Sequence, residues 1–119
     1  MAWPDAIDSA REVEIETRRG EGAPVHRTII WAVVDDGDVF VRSLRGASGR
    51  WYRELMSDPA AAVLHTQHEE FPVQAVQAND PESVERTSEA LRRKYSDSRS
   101  LASMLANDIL DTTVKLERR

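Results

Sequence analysis

Apolar and polar positions alternate with a period of two along much of this chain, and the places where the alternation fails are as informative as the places where it holds. In Glu12-Val-Glu-Ile-Glu-Thr-Arg18 the side chains of Val13, Ile15 and Thr17 fall on one face and the charged residues on the other, the pattern of a half-buried strand. Arg19-Gly-Glu-Gly-Ala-Pro24 follows as a turn. The next strand spans Val25 to Val34, and its second half, Ile29-Ile-Trp-Ala-Val-Val34, is apolar at both parities, as expected of a strand covered on both sides. Asp36-Gly37 then predicts a tight hairpin, with the return strand over Val39 to Leu44. Two further strands are predicted over 60–65 and 70–78, the second with Pro72 marking a bulge or a local edge. Thr112 to Glu117 closes the chain with a last alternating strand.

Helical spacing appears in four places. A short turn within the first ten residues docks Trp3. Arg50 to Asp58 carries Trp51, Leu55 and Met56 and is stopped by Asp58-Pro59. Asp80-Pro81-Glu82 is a helix start, with an N-cap acid, proline at the first helical position and an acid in the first turn, and the helix runs to about Tyr95. Ser100 caps a further segment in which Leu101, Met104, Leu105 and Ile109 share a face. The order β-β-β-α-β-β-α-α-β predicts one domain over residues 1–119, mainly β with helices. Six antiparallel strands in so short a chain point to a closed or nearly closed barrel, because closure removes exposed edges.

Composition narrows the function. The 119 residues carry a formal net charge of −5, which argues against a general nucleic-acid or anionic-membrane binder, although local arginine clusters still suit a small anion. The absence of cysteine excludes disulfides, thiolate catalysis and Cys-based metal sites. No apolar run reaches the length of a membrane span, and no signal peptide is evident, so the expected location is cytoplasmic.

Candidate chemistry concentrates between the hairpin and the following helix. Arg42, Ser43 and Arg45 stand at one strand end, a Gly46-Ala-Ser-Gly49 loop follows, and Arg50-Trp51-Tyr52 opens the helix. Guanidinium forks bind phosphate in bidentate fashion, a serine adds a donor, and two aromatic rings can wall a flat ligand. The competing reading makes the arginines a solvated strand end and Trp51 a core anchor. His65-Thr-Gln-His68 fits a hairpin tip better than a metal site, since residues three apart on a strand point to opposite sides and no third ligand stands near. Glu12, Glu14 and Glu16 read as a solvated face paired with arginine on a neighbouring strand, and Arg92-Arg93-Lys94 as cations in a helix's last turn. No residue stands out as a proton-transfer catalyst.

The combination Ile30-Trp31-Ala-Val-Val, Val39-Phe-Val-Arg-Ser-Leu-Arg-Gly46, Gly49-Arg-Trp-Tyr52, Lys94-Tyr95 and Thr112-Thr-Val-Lys-Leu resembles the flavin-binding split-barrel superfamily from about Val13 onward. That superfamily includes the pyridoxamine-phosphate oxidases and the deazaflavin-dependent nitroreductases; within it the chain looks most like an uncharacterised family. The resemblance implies a six-stranded split barrel and a homodimer holding FMN or a deazaflavin in grooves between protomers, with phosphate near Arg42, Ser43 and Arg45. One departure is Thr17-Arg-Arg-Gly-Glu-Gly22, where the nitroreductases carry a Gly-Arg-Lys-Ser-Gly-type segment. Two functions follow as expectations: a flavin- or deazaflavin-binding oxidoreductase-like protein of unspecified substrate, or a cofactor-free barrel dimer that binds small molecules or serves as a structural protein. The dimer is expected independently from Ile29–Val34, whose outer face needs cover.

Overall fold

The alternation at Glu12–Arg18 becomes β1 (Val13–Arg18), in which Val13, Ile15 and Thr17 are buried and the residues between them are not. Residues 2–119 are described in this computed structural model; Met1 lies outside the described residues. The chain continues through β2 (Val25–Ile30), β3 (Ala32–Asp35), β4 (Asp38–Val41), β5 (Ala62–His65), β6 (Glu70–Gln77) and β7 (Val114–Arg118). All pair antiparallel in one curled sheet of order β2-β1-β5-β6-β7-β4-β3.

The strand expected over Val25–Val34 is broken at Trp31, giving seven strands where the sequence predicts six. Its two halves, β2 and β3, form opposite edges of the sheet. One residue therefore bridges the two edges, and the barrel is split at that seam. Trp31 leaves the ladder to stack on Tyr95, with ring centroids 3.9 Å apart and planes 4° from parallel. A run apolar at both parities permits this change of partner: Ile30 and Ala32 stay in one core cluster on either side of the break, while Val33 is buried in a second cluster on the opposite face. The hairpin forms as expected: Asp36 (φ 49°) and Gly37 (φ 81°) both adopt the left-handed backbone that a two-residue turn demands.

Pro72 is tolerated inside β6 because β7 pairs with that strand only from Val73 onward, so the edge is local there; Pro72 C=O still accepts from Arg119 N at 3.0 Å.

Two apolar clusters result. Val13, Ile15, Val41, Leu64, Val73 and Leu116 fill the barrel, closed by Trp51 and Leu55 of α2 (Arg50–Ser57) and by Ile7 of α1 (Asp5–Asp8). Trp3 joins them against Phe71, at 5.4 Å between centroids. Outside, Val33 and Phe40 are roofed by Ala90, Leu91 and Tyr95 of α3 (Pro81–Lys94) and its C-cap, with Met104 and Ile109. Asp80 caps α3 as its sequence predicts, accepting from Ser83 N at 3.1 Å. The helix expected after Ser100 is shorter: α4 covers only Leu101–Met104, and a 3-10 segment, Asn107–Thr112, leads into β7. The outer face of the Ile29–Val34 run is thus covered at Val33 but not at Ile29, which is 61% exposed.

Candidate functional site

The segment between β4 and α2 is shaped by three buried groups. Ser43 donates from Oγ to Gly46 C=O at 2.8 Å and from its backbone N–H to Thr112 Oγ1 at 3.1 Å. Gly46 has φ +65°, a conformation that favours glycine. A Cβ on Gly49 would fall 2.7 Å from Ser43 Oγ, so only glycine lets the loop close over the serine. This brings Gly49 to the N-cap of α2, where no side chain caps the helix and no acid stands in its first turn. The first N–H groups of α2 therefore face outward with their partial positive charge uncancelled.

Two adjoining cavities open along the seam. The first, of about 380 Å³, is walled by Trp31, Trp51, Ile29, Ile30, Leu44 and Met104, with Arg11, Glu12, Arg42, Ser98 and Ser100 adding the polar part. The second, of about 430 Å³, is lined by Thr28, Ile29, Ser43, Leu44, Arg45, Gly49, Arg50 and Trp51. Ile29, Leu44 and Trp51 belong to both and form the ridge between them. Arg45 and Arg50 are exposed, and among the described residues neither guanidinium meets a carboxylate. Thr28 Oγ1 is buried without a hydrogen-bond partner.

Of the residues singled out by sequence, Ser43, Arg45, Arg50 and Trp51 thus meet in the second cavity. Arg42 does not join them. It is 2% exposed and reaches away from the loop, donating from Nε to Thr113 Oγ1 (2.9 Å), from Nη1 to Ser88 Oγ (3.1 Å) and Met104 C=O (3.0 Å), and from Nη2 to Val84 C=O (3.1 Å). It ties the end of β4 to α3, α4 and the start of β7, and forms part of the wall of the first cavity. Tyr52 lines neither cavity; it packs against the barrel core with its ring edge-on to Trp51. Burial, with Asp111 adding to it, raises the Tyr52 hydroxyl pKa.

The remaining polar candidates are engaged elsewhere. His65 Nε2 lies 2.9 Å from Glu16 Oε1 and its Nδ1 3.6 Å from Glu70 Oε2, while His68 is exposed. Glu14 faces Arg27 at 3.5 Å, the cross-strand pairing its sequence suggested. Lys94 is not a solvated helix-end cation: its Nζ donates to Ala32 C=O (2.7 Å) and Ile7 C=O (3.0 Å), and burial pulls its pKa down to about 8. Sequence reading missed Thr28, Arg11 and the ridge residues Ile29 and Leu44. The signal for Thr28 lay in the parity it shares with His26 and Ile30 on β2. Those three face α2, where His26 Nδ1 meets the buried Glu54 carboxylate at 2.9 Å and Thr17 Oγ1 donates to it at 3.0 Å.

Residues 5–116 match the family described as an uncharacterized protein conserved in bacteria, DUF2255. No curated protein matches the sequence. Among solved structures, an F420-H2 dependent reductase is 12% identical with a TM-score of 0.66, covering 90% of this chain and 94% of its own. A putative pyridoxamine 5'-phosphate oxidase from Listeria innocua is 11% identical with a TM-score of 0.67, covering 97% and 89%. The haem storage protein HutZ from Vibrio cholerae is 11% identical with a TM-score of 0.66, covering 97% and 86%. At these identities the likeness is one of fold: the chain has the split-barrel fold.

Proposed function

The chain belongs to the DUF2255 family, and from that premise we propose that it is a flavin- or deazaflavin-binding protein of the oxidoreductase type. The single observation that carries the reading is the second cavity. It joins two guanidiniums that meet no carboxylate among the described residues, an uncapped helix N-terminus and the Ser43 loop, a set of donors suited to a phosphate. Arg45 and Arg50 hold the phosphate, with the first N–H groups of α2. Trp31 and Trp51 wall the fused ring in the first cavity. A bound flavin would supply hydride or electron transfer, and the protein would supply anchoring and a water-poor groove. Solved relatives named as an F420-H2 dependent reductase and a putative pyridoxamine 5'-phosphate oxidase support this cofactor class. The haem named for another relative is less well served, because none of the three histidines lines either cavity.

The functional unit is a homodimer in this reading. Ile29 at 61% and Leu44 at 54% exposure form an apolar ridge beside both cavities, and a second copy over it would bury the ridge and complete the groove. Gel filtration after incubation with FMN, read at flavin wavelengths, tests the proposal: the colour should travel with a dimer. Arg50→Ala should weaken FMN binding about 10-fold or more, the effect of losing one charge-assisted bond, and weaken riboflavin much less. A colourless protein after FMN and deazaflavin incubation, or equal losses for FMN and riboflavin, overturns it in favour of the cofactor-free alternative.

A further inference from the structure

Arg42 has a second property that the phosphate reading does not use. Its four hydrogen bonds all end on neutral acceptors, two backbone carbonyls and two hydroxyls. Among the described residues no carboxylate lies within ion-pair distance of it. Buried charges are normally paired, because hydrogen bonds to neutral groups satisfy geometry without cancelling charge. Its burial and Arg92 lower its pKa, opposed by Glu85, to about 10, which leaves the group cationic at neutral pH. This cation stands in the wall of a cavity whose apolar walls are two tryptophans, three aliphatic side chains and Met104, and whose polar part is Arg11, Glu12, Ser98 and Ser100.

We propose that the first cavity selects flat ligands bearing a negative charge, with Arg42 as the specificity-determining residue. It acts through its field rather than through direct hydrogen bonds, because its donors are held by the protein. The ligand class is an aromatic or fused heteroaromatic anion, carboxylate or phenolate in type. The preference belongs to the protein without bound flavin, because in the proposed function the fused ring occupies this same cavity. The other charges at the mouth do not supply the same preference. Arg11 is half-exposed and bound to Asp97 at 2.8 Å, and Glu12 opposes an anion.

The test compares two isosteric probes, 2-naphthoate and 2-naphthamide, titrated into the full chain at neutral pH and followed by tryptophan fluorescence. With about 8–12 Å between the charges at an effective dielectric near 20, naphthoate should bind roughly 10- to 30-fold more tightly. That ratio should survive 0.5 M salt, since a buried charge is poorly screened. Arg11→Met should leave the ratio intact. Arg42→Gln, which keeps two N–H donors and removes the charge, should abolish it while leaving naphthamide affinity unchanged. Equal affinities in the native protein overturn the proposal, as do failure of both probes to bind at millimolar concentration, a ratio that collapses in salt or in Arg11→Met, and a ratio that persists in Arg42→Gln. Should Arg42→Gln not fold, the salt series and Arg11→Met decide.

Discussion

Arg42 and Arg50 stand eight positions apart in a segment that reads as a single basic patch, yet they answer to different physics. Arg42 is buried, held by four hydrogen bonds to three other elements. Arg50 is exposed on the first turn of α2, with no carboxylate partner among the described residues. The first ties the molecule together; the second is the residue that the proposed function assigns to a phosphate. Equal side chains in one stretch of sequence therefore divide between a buried and an exposed setting, and the division is set by which neighbours the fold brings round.

That contrast can be broken most forcefully at Arg42. Arg42→Ala leaves three buried acceptors and one part-buried acceptor unanswered and a void, so it should cost about 3 kcal/mol, summing unsatisfied groups and lost packing. The melting temperature would fall by roughly 10 °C or more. An unchanged melting curve would make Arg42 peripheral. Gly49→Ala comes next. Its Cβ would displace a serine that is fully buried and bonded, at about 1–2 kcal/mol, the range for overpacking a tight site. The same variant should weaken FMN binding, because the loop that presents α2 must shift.

Arg86 offers a third environment, with acids present: its Nε meets Asp35 at 2.7 Å and its Nη2 meets Asp38 at 3.0 Å. Hydrogen bonding to Arg86 is the largest influence holding the Asp35 pKa below its usual 3.8. A depressed carboxyl contributes stability above its unfolded value and loses it as pH falls through the folded one. Native protein should therefore lose stability below about pH 4 more steeply than Asp35→Asn, by ~1 kcal/mol or less for so accessible a pair. Acid titrations of the two that superimpose would remove this contribution. The smallest effect is expected at Arg50, where alanine should change unfolding free energy by less than about 0.5 kcal/mol, as for an ordinary surface site.

Much of this architecture is written locally. The Glu12–Arg18 alternation, the Asp36-Gly37 turn and the Asp80 cap each depend on a few adjacent residues, and each forms as its pattern predicts. The break at Trp31 does not, since a run apolar on both faces says that both will be covered but not that the covering elements change midway. The fate of Arg42 is less legible still. Its partners lie 46, 62 and 71 positions away for Ser88, Met104 and Thr113, and an arginine at a strand end gives no local sign of them. Arg45, Arg50 and Trp51 were readable because the loop and helix that place them are continuous in sequence; Thr28, which completes their cavity, comes from a strand far upstream.

The position of β7 has a consequence for how the chain reaches this structure. The last strand to be synthesised sits between β4 and β6, near the middle of the sheet. Until it arrives, β1, β2, β5 and β6 can form one ribbon and β3 with β4 another, joined by no ladder but only by Trp31 on one side and residues 42–61 on the other. On a translating ribosome both ribbons would wait with open edges for a segment still inside the exit tunnel. Closure is then a late, long-range step of the kind that slows folding, and the nascent chain spends that interval at its most vulnerable to chaperone capture or aggregation.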